Sequence, residues 1–381
     1  MGTDRSRSCD DPSLVFYAYK TDSDRQKPFG HQTNLLLDWC RIALELKQAA
    51  YVLPCGSVTK KTDEVIAYGY CEDRKFVRKK VLWPSFVLRR TIVFPPSLAV
   101  RMQREERLFS QYSQLLSLPR TGSDKWSIYR YLSKNPELLP HLPTTLPLRS
   151  YADFTAFLLD YHDVYLKPIR GTQGQSILRL RNQQQGVLCE SEKQQSLLLP
   201  RNDRLLAHIA RYIHAQEPKF LLQQTVPMLH SKWGQRIDFR YFLQAIAKDQ
   251  IQCTAIIARL ANQNAITTNL STGSRAIGLD RLDKHFNVTT WQIIDRSIVK
   301  GQHLALQIFK ILRQKWPYLA ELGIDMGISP DGDIKILEVN PVPGRKMLRQ
   351  IDADLRIQSL RTVITYVRSL REMIGVPRKG F

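Results

Sequence analysis

Gly323-Ile324-Asp325-Met326-Gly327-Ile328-Ser329-Pro330-Asp331-Gly332-Asp333-Ile334-Lys335-Ile336-Leu337-Glu338-Val339-Asn340 is the most informative stretch of this sequence. Asp331-Gly332 is a hairpin-turn dipeptide, because tight two-residue turns favour Asp, Asn or Gly at their centre. With that turn as the midpoint, Asp325 lies opposite Glu338 to within one residue. Glu338 and Asn340 are two apart and point to one face of their strand. Three oxygen-bearing side chains therefore converge among Ile, Leu and Val. Unpaired carboxylates in such surroundings are costly. A Mg²⁺ ion, with Mn²⁺ as an alternative, would satisfy them, since Mg²⁺ takes one or two carboxylates and completes its shell with other oxygens. The competing reading is an exposed, salt-bridged hairpin using Lys335. Convergence favours a metal, with Asp325, Glu338 and Asn340 as candidate ligands.

Outward from this hairpin, residues 291–314 carry a long helical period, and residues 236–247 and 251–260 read as paired strands across Lys248-Asp249-Gln250. Residues 220–226 read as a strand and 204–214 as a helix. A strand ending in Lys167-Pro168 is joined by Arg170-Gly171-Thr172-Gln173-Gly174-Gln175-Ser176 to another at 177–180. Nearer the N-terminus a strand, helix and strand follow one another at 14–19, 34–46 and 51–54, and a polar helix spans 98–116. Four prolines between Pro136 and Pro147 mark a connection. Strand pairs mixed with helices argue an α+β class, not a doubly wound parallel sheet. The expected division is an N-terminal accessory domain over 1–118, a central unit over 119–219, a second α+β unit over 220–345, and a basic helix or tail over 346–381.

Three further sets could carry chemistry. Glycine lets backbone N–H groups approach an anion closely, so the loop after Lys167 could cover phosphates with that lysine as a point charge. It joins strand to strand and lacks a Walker ending; taken alone, it reads first as an ordinary glycine hairpin. Arg240 and Arg259 come out as near-opposite neighbours on the paired strands, with Asp238 two residues before Arg240 and Asn269 shortly after Arg259. Two facing arginines repel unless an anion sits between them, as when a transferring phosphoryl group is clamped. Equally, one arginine could pair with Asp238 and the other be solvated. Gln223-Gln224 could present amides to an adenine edge, or be surface residues.

Composition limits the remaining classes. The 381 residues allow two or three domains at ~150 residues each. With 43% hydrophobic and 24% charged residues the chain is an ordinary globular sequence, not a disordered or collagen-like one. No stretch reaches the ~18 apolar residues of a membrane helix, and the first residues lack a signal-peptide core. The six cysteines are scattered without a C-x-x-C pair, which suits thiols in a reducing cytoplasm. No zinc-type histidine spacing and no G-x-S-x-G elbow occurs, disfavouring zinc catalysis and hydrolase triads. The formal charge of +21 speaks to anionic partners. Without nucleic-acid motifs, a solvated basic surface outranks nucleic-acid binding.

The order of these features resembles the ATP-grasp superfamily, and within it the YheC/YheD family described as endospore coat-associated. The resemblance rests on Phe29-Gly30-His31-Gln32-Thr33, Lys125-Trp126, Leu142-Pro143-Thr144-Thr145, Lys167-Pro168 with Gly171 and Gly174, Asp238-Phe239-Arg240, Ala258-Arg259, Thr268-Asn269-Leu270-Ser271 and Glu338-Val339-Asn340-Pro341. It covers nearly the whole chain. Where the family carries Pro-Asp-x-x-x-x-Arg, this chain has Pro84-Ser85 followed by Arg90.

The resemblance implies two α+β subdomains sandwiching ATP, preceded by an α/β pre-ATP-grasp-like domain. It implies ATP and Mg²⁺ as cofactors, with Lys125 and Lys167 at the nucleotide and Gly171, Thr172 and Gly174 in a phosphate flap. Gln223 and Gln224 fall at the hinge strand beside adenine, and Asp238 joins the nucleotide set. Asp325, Glu338 and Asn340 match the metal ligands. Arg240, Arg259 and Asn269 match positions near the γ-phosphate and the activated substrate. The activity implied is a carboxylate–amine ligase working through an acylphosphate, which needs no protein nucleophile. The positive charge would suit an acidic peptide or polymer as acceptor. The rivals are a kinase, an inactive scaffold protein at a spore coat or cell surface, and a nucleic-acid binder. The expected location is cytoplasmic or spore-associated.

Overall fold

Three sheets carry the chain, and the computed structural model describes residues 14–21, 26–71, 75–91, 94–171, 176–191, 196–214, 216–263, 265–268 and 273–374. The first sheet holds β1 (Leu14–Ala18), β2 (Ala50–Pro54), β3 (Glu64–Cys71), β4 (Lys75–Leu82), β5 (Phe86–Arg89) and β6 (Gln114–Leu115) in the order β4-β3-β2-β1-β5-β6. Its β1, β2, β5 and β6 run parallel, and β3 and β4 form an antiparallel hairpin at the edge. β1 is buried along its whole length, so it reads as a continuous apolar run. α1 (Thr33–Glu45) supplies the crossover between β1 and β2, and α2 (Ala99–Tyr112) the one between β5 and β6. The sequence reading lacks the β3–β4 hairpin, although Val65, Ala67 and Gly69 alternate inward at the strand period of two.

The second sheet holds β7 (Thr145–Pro147), β8 (Asp163–Pro168), β9 (Leu178–Gln183), β10 (Gly186–Ser191), β11 (Leu197–Leu199) and β12 (Phe220–Gln224), ordered β11-β10-β9-β8-β12-β7. α4 (Tyr151–Tyr161) opens on a capping box, Ser150 with Asp153, and ends on His162 in the left-handed region. With α5 (Asp203–Ala210) it closes a separate core containing Phe154, Leu166, Leu180, Ile209 and Leu222.

The third sheet holds β13 (Ile237–Ala245), β14 (Ile251–Leu260), β15 (Arg275–Ile277), β16 (Glu321–Ile328) and β17 (Ile334–Asn340), ordered β15-β14-β13-β16-β17. α6 (Val288–Lys315) starts where the Asn287 side chain accepts a bond from Thr290 N–H at 2.8 Å. Its buried Ile294, Ile298, Gly301, Ala305, Ile308 and Leu312 recur at three and four residues, a stripe that packs on this sheet. Fully burying each such aliphatic chain contributes about 1.5–3 kcal/mol.

The first and third sheets share one core, which also takes in α8 (Ala353–Ile374), while Met347 and Leu348 of α7 (Lys346–Ile351) pack with Phe242 and Ile257 in a smaller cluster. α8 buries Leu360, Val363, Ile364, Tyr366, Val367 and Leu370. Arg356 and Arg361 tie it to Asp38 and Glu45 of α1 at 2.6 and 2.9 Å. The basic segment from 346 is therefore a packed helical layer as far as residue 374, with Arg356 turned in towards α1.

A buried ion triad also joins the first and third sheets. Arg90, 1% exposed, lies 2.9 Å from Glu321, 2% exposed, at the start of β16. Arg345 pairs with the same carboxylate. Both guanidiniums lie over Trp39, at 5.1 and 4.3 Å from its ring centre. Arg90 further donates to the Pro343 carbonyl at 3.2 Å.

Candidate active site

Asp325 stands opposite Glu338 in the β16–β17 ladder, as the turn position predicts, and the register slips by one between Asp325 and Met326. The β13–β14 register differs from expectation. Arg259 faces Asp238, and Arg240 faces Ile257. The turn is centred on Lys248, one residue earlier than expected, with Ile246 N–H bonding Gln250 O; a bulge between Phe242 and Leu243 recovers part of that offset, which leaves Arg259 opposite Asp238, two residues before Arg240. On its other side Arg240 faces Asp325 across β13 and β16. Since residues i and i+2 share a strand face, this face carries Arg259, Asp238, Arg240, Asp325, Glu338 and Asn340 together.

An anion does lie between the two arginines, and it is the Asp325 carboxylate. Arg240 holds it bidentately, Nε to Oδ1 and Nη2 to Oδ2, each at 2.6 Å. Arg259 Nη2 reaches Oδ2 at 2.9 Å, and Asn340 Nδ2 donates to the same atom at 3.2 Å. Arg259 also grips Asp238 bidentately, with Thr268 adding a hydroxyl bond at 2.5 Å. Burial disfavours the Asp325 carboxylate, yet Arg240 and Arg259 outweigh it and hold its pKa low, at about 2. At Asp238 burial prevails and moves the pKa upward against the pull of Arg259 and Thr268.

Lys167 approaches this face from the second sheet and Lys125 from a helix N-terminus. Lys125 is the first residue of α3 (Lys125–Leu132), whose N-cap Asp124 accepts from Ser127 N–H at 2.8 Å. Its Nζ lies 3.3 Å from Glu338 Oε1 and donates to Gly171 O at 3.0 Å. Lys167 on β8 donates to Gln223 Oε1 at 2.5 Å, and the Gln223 amide donates to Thr145 Oγ1 at 3.1 Å. Burial, opposed by Glu338 and reinforced by Lys125, pushes the Lys167 pKa down to about 8.

A cavity of about 80 Å³ lies between the second and third sheets, where Ile177, Val226, Met228 and Leu337 give apolar walls. Lys167, Gln223, Gln224, Asp238, Asp325 and Glu338 give it polar ones. Gly171 and Asn340 line a neighbouring cavity that shares Glu338. Arg240 reaches the group through Asp325. Thr172, Gly174 and Asn269 lie outside the described residues. Lys335, offered as a salt-bridge partner for the hairpin, instead donates to Pro140 O at 2.7 Å.

The donor set at β16–β17 is all oxygen, which fits a hard cation of the Mg²⁺ type. Glu338, 33% exposed, keeps acceptor capacity beyond its single lysine. Asp325 does not: two oxygens offer about four acceptor directions, and Arg240, Arg259 and Asn340 take them. Glu338 and Asn340 would therefore hold a cation first. Among the described residues no three His, Cys, Asp or Glu side chains gather as a ready metal cluster.

A family model described as YheC/D like ATP-grasp matches residues 117–370. The chain belongs to that family. Among curated members of the YheC/D group, it is 25% identical over 249 residues to endospore coat-associated protein YheD of Bacillus subtilis (strain 168), covering 64% of this chain and 53% of YheD. It is 22% identical over 287 residues to endospore coat-associated protein YheC of the same organism, covering 72% of this chain and 75% of YheC. The chain thus matches about half the length of YheD.

Solved structures show the ATP-grasp fold. The macrocyclase MdnC bound with precursor peptide MdnA from Microcystis aeruginosa is 15% identical, with a TM-score of 0.53 over 93% of this chain and 99% of MdnC. VanG D-Ala:D-Ser ligase from Enterococcus faecalis is 10% identical, also at 0.53, over 94% of this chain and 99% of VanG. Among the described residues no helix is long and apolar enough to cross a membrane.

Sequence reasoning missed three participants. Thr145 orients Gln223. Tyr165 stands in the cleft wall, donating to Ile266 O at 2.7 Å and accepting from Arg236 at 2.8 Å. Arg89 ends the apolar run of β5 inside the protein. Two carried a signal: Arg89 as a charged residue closing an apolar strand, and Thr145 as the last residue of the Leu142-Pro143-Thr144-Thr145 stretch.

Proposed function

We propose that this YheC/D-like chain is an ATP- and Mg²⁺-dependent ligase of carboxylate–amine type. The observation that carries this reading is the convergence of Lys125, Lys167 and Glu338 on one cleft between two sheets. Lys125 and Lys167 would bind the nucleotide phosphates, and the apolar walls would take the base. Glu338 and Asn340 would hold the cation, which supplies charge neutralisation at the phosphates when bound.

In the reaction an acceptor carboxylate oxygen attacks the γ-phosphorus, and the bond from that phosphorus to the ADP oxygen breaks with its electron pair going to ADP. The resulting acylphosphate is attacked at its carbonyl carbon by an amine. The C–O bond to phosphate then breaks, inorganic phosphate leaves with the electron pair, and the amine gives up a proton. The lysines stabilise the charge that develops on the transferred group, and walls that exclude water protect the acylphosphate from hydrolysis. No protein nucleophile enters, and among the described residues that line the cleft there is no cysteine, serine or histidine.

A second reading is a catalytically silent protein at the spore coat, working in the cytoplasm or on the spore. One observation favours it, the saturation of Asp325 by two guanidiniums. ADP release with a panel of carboxylates and amines, beside Mg·ATP titration of the wild type and Glu338→Ala, separates these readings. The ligase predicts nucleotide binding weakened in Glu338→Ala and ADP formed together with an amide. A phosphorylated product without amide would make the protein a kinase, and a wild type that binds no nucleotide would make it a scaffold.

A further inference from the structure

A cavity of about 570 Å³ opens next to the nucleotide cleft and shares Glu338 with it. Asn340 and Val342 line one side; Arg89, Phe94, Arg120 and Arg170 line others. Its three arginines come from three separate stretches of chain. Arg89 is buried, donates to Leu118 O at 3.1 Å and to Ser123 Oγ at 2.9 Å, and its Nε has no hydrogen-bond partner. Glu106 faces it loosely, at 3.8 Å. Arg120 lies over the Phe94 ring, 4.3 Å from its centre. Among the described residues neither the Arg120 nor the Arg170 side chain forms an ion pair, and burial first, then the charge of Arg170, lowers the Arg120 pKa against the pull of Glu106.

The carboxylates on this wall are already engaged. Asp124 caps α3, and Glu338 is matched by Lys125. Like charges around a void repel unless an anion lies among them, and the planar guanidinium fork matches a carboxylate in two bonds. Phe94 and Val342 supply contact for a hydrocarbon stem.

We infer that this cavity is the acceptor site and takes an acid with more than one carboxylate, such as a short acidic peptide. One carboxylate is offered at the Glu338–Asn340 wall, and another is held by Arg120 and Arg170. The inference rests on the ligase reading for which carboxylate is activated, but the anion site itself does not need it.

The test uses the full chain and fluorescein-labelled triglutamate, with triglutamine as control, read by fluorescence anisotropy at about 0.15 M salt. The wild type is expected to bind triglutamate and not triglutamine. Arg120→Gln/Arg170→Gln is expected to lose about tenfold or more in affinity, with circular dichroism and binding of a fluorescent ATP analogue retained. Equal triglutamate affinity in wild type and variant would assign the binding to general surface charge and overturn the inference. No binding by the wild type would overturn it as well. Binding lost in the variant, with no ADP released by any carboxylate–amine pair, would uphold the anion site and sink the ligase. Turnover with monocarboxylates alone would do the reverse.

Discussion

Arg259 on β14 reaches across β13 to place Nη2 2.9 Å from Oδ2 of Asp325 on β16. A cation and an anion two strands apart are in direct contact, and Arg240 closes the same carboxylate from the intervening strand. The charges alternate across the sheet face, which lets Arg259, Asp238 and Asp325 lie buried beside a mostly buried Arg240. Buried ions of this sort tolerate the loss of one member badly, because the partner is left desolvated and unpaired. Asp325 and Glu338, adjacent in the ladder, thus have different work: one holds the arginines, the other faces the cleft.

That division predicts opposite phenotypes. Asp325→Asn removes a charge from two buried guanidiniums and is expected to cost about 3–5 kcal/mol of stability without any metal present. Glu338→Gln loses one half-exposed pair and is expected to cost under about 1 kcal/mol, while weakening Mg²⁺-dependent nucleotide binding. Urea denaturation in chelator, beside Mg·ATP titration, measures both. Equal destabilisation by the two substitutions would contradict the division.

Lys167 makes the pH dependence specific. Its pKa of about 8 in the free protein leaves it neutral in mildly alkaline buffer. Phosphates nearby would favour the ammonium and raise that value. Between the free and bound pKa values binding takes up a proton, so affinity falls as pH rises above 8, by up to about tenfold per unit. Calorimetry near that pH in buffers of different ionisation heat reads the proton directly. Lys167→Arg, whose charge does not titrate in this range, is expected to flatten the profile. Absence of proton uptake in the wild type would remove Lys167 from the phosphate site.

The sequence was legible where local geometry alone decided the outcome. Asp331-Gly332 marks the turn, which closes over Ser329–Asp333 with Gly332 at positive φ and sits slightly earlier than a two-residue turn would, and the slip between Asp325 and Met326 offsets this, so that Asp325 still faces Glu338. The other hairpin misled. Its bulge at Phe242 and its turn between Ile246 and Gln250 leave no marker in residue type, and two residues of register exchange one charge partner for another. The arginines of the large cavity were less legible still. Arg89, Arg120 and Arg170 belong to a strand end and two connections, and only tertiary packing brings them to one void. The β3–β4 hairpin carries its signal in Val65, Ala67 and Gly69, which alternate inward at the strand period.

Gly301 lets α6 pass close to Tyr241 on β13 of the third sheet. A Cβ there would lie 2.1 Å from the Tyr241 hydroxyl oxygen, inside contact distance. Alanine would favour the helix by about 1 kcal/mol, but Tyr241 is buried and cannot retreat into solvent. Gly301→Ala is therefore expected to destabilise by about 1–3 kcal/mol. Adding Tyr241→Phe, which removes the clashing oxygen, should recover part of that loss in urea titrations. No recovery would locate the strain elsewhere.

Glu321 holds the first and third sheets together through Arg90 and Arg345, and the same Arg90 anchors the Pro343 carbonyl. Pro341 and Val342, immediately before it, line the large cavity, so the triad links sheet packing to the shape of that wall. Glu321→Gln would leave two buried guanidiniums facing a neutral amide, at an expected cost of about 3–5 kcal/mol. Hydrogen exchange at residues 342–346 should rise in that variant before the sheet amides are affected, because their anchor loosens first. Replacing all three members with apolar residues, Arg90→Met, Glu321→Leu and Arg345→Met, removes the unpaired charge altogether and is expected to restore most of the stability. It cannot restore the bond to Pro343, so fast exchange in that segment should persist in the triple variant. A triple variant with wild-type exchange there would show that packing alone positions the wall.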